Sequence, residues 1–151
     1  MKKRLIFIIL MMAVLLVGCH NQSNNEIEEN REIYQKLVEA EERSGLINFN
    51  SRVIQENQDL NLPKAYNGVT FEYSSRNKAI ISDEGIVTQP MTWWLQSRNQ
   101  QGEVIEAFSE LNKNWPIVID VLMTYENQQR RAKILIIVAP HKDAVAPEYK
   151  G

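Results

Sequence analysis

The 151-residue sequence holds a single cysteine, Cys19, so no disulfide forms within the chain and the core alone must hold the fold. Positive charge is in short supply too. Seventeen Lys and Arg stand against 19 Asp and Glu, for a net charge of −2, which disfavours a nucleic-acid partner because phosphate binding requires a basic face. There are only two histidines, His20 and His141. Neither lies at ligand spacing from a cysteine or acidic residues, so a zinc site is not expected. No Gly-Xaa-Ser-Xaa-Gly, His-Glu-Xaa-Xaa-His or phosphate loop occurs, and with them go the common hydrolase, zinc-protease and nucleotide signatures. The expectation is a protein that is not an enzyme and carries no metal or cofactor. Long apolar runs are lacking as well: none reaches the roughly 17–25 residues that a membrane-spanning helix needs.

What the N-terminus does have is an apolar run of 13 residues, 5–17, preceded by Lys2, Lys3 and Arg4. That length falls within the roughly 7–15 residues of a signal-peptide h-region, and the basic residues form its n-region. Because basic residues stay on the cytoplasmic side, Cys19 is delivered to the outer face. The run ends in Leu16-Val17-Gly18-Cys19, which resembles a bacterial lipobox. Small Gly18 leaves room for a peptidase, and the thiol of Cys19 is the one nucleophile here able to take a lipid as a thioether. The resemblance implies that residues 1–18 are a cleaved lipoprotein signal peptide. It also implies that Cys19 becomes the first residue, carrying a diacylglyceryl group and palmitate-type acyl chains, so that the membrane lipid is a partner through Cys19. The alternative is an uncleaved N-terminal anchor with an incidental cysteine, and both readings hold the protein at a membrane. Each buried CH₂ contributes about 0.8 kcal/mol, so two chains bind far more firmly than one. Loss of Lys2, Lys3 and Arg4 leaves 14 basic against 19 acidic residues, and the mature net charge becomes −5.

Past the cysteine, residues 19–25 read as a polar linker. Residues 26–45 predict a helix, tether or docked, with Ile33, Leu37 and Ala40 on one stripe and Ile27, Tyr34 and Val38 beside it. Asn25 can cap its start, Glu26, Glu28 and Glu29 suit the positive end, and Ser44-Gly45 can close it. At about 1.5 Å per residue, the 18 residues from Glu26 to Arg43 would span roughly 27 Å.

Beyond Gly45 the pattern turns to β. Val53-Ile54, Leu60-Asn61-Leu62-Pro63, Val69-Thr70-Phe71-Glu72-Tyr73, Ala79-Ile80-Ile81-Ser82 and Ile86-Val87-Thr88 read as short strands, with Asn67-Gly68 a strong turn signal. Residues 117–125 put Ile117, Ile119, Val121, Met123 and Tyr125 on one face. Residues 126–129 turn the chain, and residues 132–138 return with Ile134, Ile136 and Val138. Short strands separated by turns predict a mostly β fold, a sandwich with this hairpin at its centre.

These residues resemble the atrophied bacterial immunoglobulin-like domain. The resemblance rests on Leu62-Pro63, Gly68-Val69-Thr70, Tyr73-Ser74-Ser75, Ile81-Ser82, the turn of Asp83, Glu84 and Gly85, and Val87-Thr88 before Pro90, with the closing hairpin. It implies an immunoglobulin-like β-sandwich over residues 46–140. The family usually has Trp where this chain has Tyr73, and residues 91–115 form an insertion relative to it.

In the insertion, adjacent Trp93 and Trp94 point opposite ways on an extended chain, so at least one is expected outside the core. Val104, Ile105, Phe108, Leu111 and Trp115 follow helical spacing and predict a short helix over a sheet edge. Trp93, Trp94 and Trp115 are the candidate ligand-binding residues, an aromatic platform for a sugar or peptide, against the plainer reading that they pack a core. Asp83 and Glu84 could serve calcium, but Ser-Asp-Glu-Gly is also ordinary turn chemistry. Arg130, Arg131 and Lys133 crowd the last hairpin, as a contact for anionic headgroups or wall polymer or merely as a solubilising turn. Residues 141–151 read as a flexible tail. The resulting expectation is a lipid-anchored extracytoplasmic protein of the cell membrane, acting by binding or spacing at the envelope. Its partner would be an envelope protein or, alternatively, a cell-wall glycan.

Overall fold

Amphipathic spacing, turn chemistry and the long terminal hairpin account for most of the architecture in a computed structural model, which describes residues 27–95, 101, 103 and 113–148. Helix α1 covers residues 27–43. It buries Ile33, Leu37 and Ala40, while Ile27 and Tyr34 on the flanking stripe stay exposed. The apolar face is therefore narrower than the periodicity implies. The helix stops where Ser44 N–H donates to the Ala40 carbonyl (3.1 Å) and Gly45 takes φ 87°, a left-handed C-terminal conformation in which glycine has no Cβ penalty. A 3₁₀ turn, Leu46–Phe49, follows.

Seven strands come next: β1 Arg52–Ile54, β2 Gln58–Asp59, β3 Ala65–Tyr66, β4 Val69–Ser75, β5 Ile86–Val87, β6 Trp115–Tyr125 and β7 Gln128–Val138. The main sheet has the order β1-β7-β6-β4-β3, and β2 pairs separately with β5. All pairs are antiparallel except β1 with β7, which is parallel. The described fold is thus mostly β with a preceding helix.

Residues paired in register share a face, so Ile117, Ile119, Val121 and Met123 of β6 lie on the same side as Ile134 and Ile136 of β7 and Phe71 of β4. All are buried, and they join Leu60, Leu62, Ile80, Ile81 and Val87 from the β2–β5 layer and Leu37, Ala40 and Leu46 from the helical segment in one core. The helix is docked on this core and is not a stalk. The apolar stripe drives the docking, and polar contacts fix its register. Gln128 Nε2 donates to Asn30 Oδ1 (3.3 Å), Arg130 Nη1 donates to the Tyr34 hydroxyl (3.0 Å), and Arg130 Nε pairs with Glu41. Half-exposed ion pairs of this kind contribute at most about 1 kcal/mol, so the buried Leu37 and Ala40 dominate.

Three predicted turns are present: Ser82 O accepts Gly85 N–H (3.0 Å) at Asp83 to Gly85, and the two that close hairpins of the main sheet have two residues each. Asn67 and Gly68 take φ 46° and 86° between paired Tyr66 and Val69, which is the positive-φ requirement that Asn-Gly meets in a hairpin. The β6–β7 turn is Glu126-Asn127, shorter than the expected 126–129, because Gln128 and Gln129 already pair with Tyr125 and Thr124. A Cβ on Gly68 would sit 3.1 Å from Tyr125 Cε2, and an L residue in the left-handed region itself costs about 1–2 kcal/mol. Gly68→Ala is accordingly expected to lower the unfolding free energy by at least that much, about 1–2 kcal/mol, read as a fall in denaturant midpoint with unchanged slope.

Four local expectations are corrected. Residues 79–82 are not a strand: Ile80 and Ile81 N–H both donate to the Asn77 carbonyl, closing a turn that leaves only a bridge from Ile81 to Val87. The segment at Leu60 and Leu62 is buried without being a paired strand. Asn61 takes φ 51° and its N–H bonds Asp59 Oδ1 at 2.7 Å, so pairing ends at Asp59. Trp115 opens β6, opposite Val138, and does not belong to a helix, since the Pro116 that follows disfavours helical backbone at position 115. Val104, Ile105, Phe108 and Leu111 lie outside the described residues. Finally, residues 141–145 are held in place where they were expected to belong to a flexible tail, and residues 149–151 lie outside the described residues. His141 N–H donates to the Pro90 carbonyl, Val145 N–H to that of Met91, and Val145 O accepts from Trp93 N–H.

Candidate functional site

At the end of the sheet where β6 begins and β7 finishes, three backbone segments converge. The segment at Met91, Thr92 and Trp93 lies alongside Val145 through the bonds above and a parallel bridge from Thr92 to Val145. Trp94 N–H donates to the Lys113 carbonyl (3.0 Å). Trp115 Nε1–H donates to the Thr92 carbonyl at 2.7 Å, so the indole is satisfied as a half-buried tryptophan requires. Gln89 ties this end together. Its Nε2 donates to the carbonyls of Gln55, Ala139 and Pro140, and its N–H donates to Asn57 Oδ1.

All three candidate tryptophans are brought to this end. Trp94 and Trp115 pack edge to face, with centroids 4.9 Å apart and planes at 64°, a geometry that aligns the positive edge of one ring with the negative face of the other. Lys113 Nζ lies 4.8 Å from the Trp93 ring centroid, within cation–π range. Trp94 keeps 42 % of its surface exposed, and Met91, Leu95 and Val145 beside it in the chain or across the bridge are exposed too. The expectation that one member of the Trp-Trp pair lies outside the core holds for Trp94, while Trp93 is half-buried. Lys113, Met91 and Val145 escaped the reading of the sequence. Lys113 could have been suspected from its position two residues before Trp115, whereas nothing local marks Val145.

The remaining candidates are engaged structurally. Asp83 Oδ1 accepts Ser75 N–H at 2.9 Å and Oδ2 pairs with Lys78. The Lys78 ammonium, helped by the Ser75 N–H, holds that carboxyl below its ordinary range, and both Asp83 oxygens already have partners; no group of three or more metal-ligating side chains occurs among the described residues. Arg130 is turned onto the helix. Arg131 and Lys133 lie on the outer face of the sheet, in a shallow groove that also includes Arg76 and Asp120. There Arg76 grips Asp120 through Nε (2.8 Å) and Nη2 (3.0 Å) and keeps its carboxyl well ionised. Asp120 stands opposite Lys133 in register, a cross-strand opposite-charge pair of the kind that stabilises solvated sheet faces. Tyr73 donates its hydroxyl to the Pro63 carbonyl, and burial pushes its pKa up.

Cys19 lies outside the described residues. Among those described, no helix is long and apolar enough to cross a membrane. No protein-family model, curated protein or solved structure matches the chain significantly.

Proposed function

We propose that this chain is a lipid-anchored extracytoplasmic lipoprotein whose immunoglobulin-like module works without catalysis, by binding or spacing at the cell envelope. The observation that carries the proposal is Leu16-Val17-Gly18-Cys19 at the end of a basic-then-apolar leader of signal-peptide length. It is a compound signal: charge, run length, a small residue and the one cysteine of the chain occur in the required order. Incorporation of a labelled fatty acid into the native protein tests it, and absence of label in membranes that label other lipoproteins would contradict it. The immunoglobulin-like reading draws support from a five-stranded sheet whose first strand runs parallel to its last, faced by the β2–β5 pair. Two layers of strands packed around one core are compatible with a sandwich of that type.

A second reading, a glycan-binding accessory module, is favoured by one observation, the exposed ring of Trp94 set against Trp115. Aromatic faces supply rigid apolar area at low entropic cost, the property a sugar ring or peptide would exploit. On this reading, cell-wall fragments should quench or shift tryptophan fluorescence in the native protein, and Trp94→Ala should remove most of the change. A spectrum insensitive to the fragments would rule out the sugar platform and leave the binding or spacing role standing.

A further inference from the structure

The main sheet has a second face, which takes no part in the core. Because side chains alternate along a strand, the register that buries Ile119, Val121 and Ile134 turns Glu72, Asp120, Arg131 and Lys133 outward. With Arg76, just past β4, they line one shallow groove. Three basic groups against two acidic ones give this face a net +1. Subtracting them from the 14 basic and 19 acidic residues of the mature chain leaves 11 and 17, a net −6 elsewhere. The face therefore has the opposite sign to the rest of the molecule. One of its acids is already neutralised, since Asp120 accepts two hydrogen bonds from Arg76. Arg131 and Lys133 are exposed and make no ion pair among the described residues. Outward positions next to these charges are apolar: Leu122 stands opposite Arg131, and Val118 opposite Leu135. All three apolar side chains stay partly exposed, where a solvated sheet face normally carries polar ones.

We propose that this outer face docks on anionic phospholipid headgroups, so that the module lies with its sheet against the bilayer to which Cys19 anchors it. The proposal rests on Cys19 being the lipid-bearing residue. Basic side chains interleaved with apolar ones suit the headgroup region, which binds a surface through charge attraction together with burial of apolar area. The rest of the molecule carries the net −6, and an anionic surface repels it. Charge therefore selects one face for contact. The anchor selects the occupant. A tethered face meets its own membrane as an intramolecular step at high effective concentration, so a contact too weak to recruit a free protein still sets the posture of an anchored one.

The mature chain offers no thiol besides Cys19, so an introduced cysteine is a unique labelling site. Gln129→Cys places a fluorescent donor on the outer face of β7, Gln35→Cys on the side of α1 opposite Ile33 and Leu37, and Lys142→Cys near the tryptophans; all three positions are exposed. Each full-length lipidated variant is reconstituted into vesicles carrying a headgroup acceptor, made either with phosphatidylglycerol or from phosphatidylcholine alone. With phosphatidylglycerol, energy transfer from position 129 is expected to exceed that from 35 and from 142 several-fold. The excess should be lost in phosphatidylcholine, in about 1 M salt, where the Debye length is about 3 Å, and in the Arg131→Gln, Lys133→Gln double variant. Equal transfer from the three positions, or an excess at 35 or 142, would overturn the posture. So would an excess at 129 that survives in phosphatidylcholine or in the double variant. Transfer between donors at position 129 on neighbouring molecules, independent of lipid charge, would assign the face to a second copy of the chain and overturn the bilayer contact. Protein that fails to float with either vesicle would overturn the anchor itself, and the posture with it, so the two failures are distinguishable. Unchanged circular dichroism and thermal midpoint in the labelled variants show that the fold is retained.

Discussion

Replacing Cys19 by serine is expected to abolish fatty-acid labelling of the protein and to release it from the lipid fraction or leave it as an unprocessed precursor. The effect is all-or-none, because the acceptor is a single sulfur atom. A serine hydroxyl has nearly the same shape but cannot form the thioether, and the chain has no second thiol to substitute. The physical contrast is large. Two acyl chains at about 0.8 kcal/mol per buried CH₂ give effectively permanent attachment, whereas residues 5–17 alone are too short to span in place of the lipid. The folded part should be indifferent to the change, since the described core begins at Ile33. Undiminished labelling of Cys19→Ser would show that lipid is attached elsewhere.

The second large effect is expected for Leu37→Ala. Leu37 is 1 % exposed and belongs to the same core as Ile134 and Ile136, so truncation removes transfer energy and leaves a cavity, together about 2–5 kcal/mol. Against a total stability of about 5–15 kcal/mol, that is a substantial share, visible as a large fall in the denaturant midpoint. Glu41→Gln, which breaks the Arg130 ion pair at a partly exposed site, should cost no more than about 1 kcal/mol. The contrast tests the packing argument: if the two variants were equally mild, the helix would be held by surface polar contacts or not held at all. A stalk would tolerate both.

Features that depend on neighbours in sequence were legible, and features that depend on distant pairing were not. Alternation along Ile117, Ile119, Val121 and Met123 gives the buried face of β6, because a half-buried strand imposes period two on its own residues. Asn67-Gly68 is readable because its backbone conformation excludes most other pairs. Ser44-Gly45 marks the helix end for the same kind of reason. Whether the helix docks was undecidable from its stripe alone, since an apolar stripe does not name its partner. Ile80 and Ile81 carry strong β propensity, yet they are buried in a turn that keeps only a single bridge, from Ile81 to Val87, an instance of tertiary context overriding propensity. The pairing of Val145 with the segment before Trp93 joins residues more than fifty positions apart, and no local pattern announces it.

The candidate site divides in the same way. Trp93, Trp94 and Trp115 all stand out in the sequence as candidates, although Trp115 lies in β6 and not in the helix expected to carry it. That Trp94 and Trp115 form one edge-to-face pair while Lys113 lies over Trp93 follows from the Lys113 carbonyl capturing Trp94 N–H and from Pro116 holding Trp115 extended. These are geometric facts visible only once the sheet is assembled.

The most direct test is mass spectrometry of the native protein extracted from membranes and digested to peptides. The account requires an N-terminal peptide beginning at Cys19, with the added mass of a diacylglyceryl group on its sulfur. A peptide that retains Gly18 joined to an unmodified Cys19 thiol would contradict it.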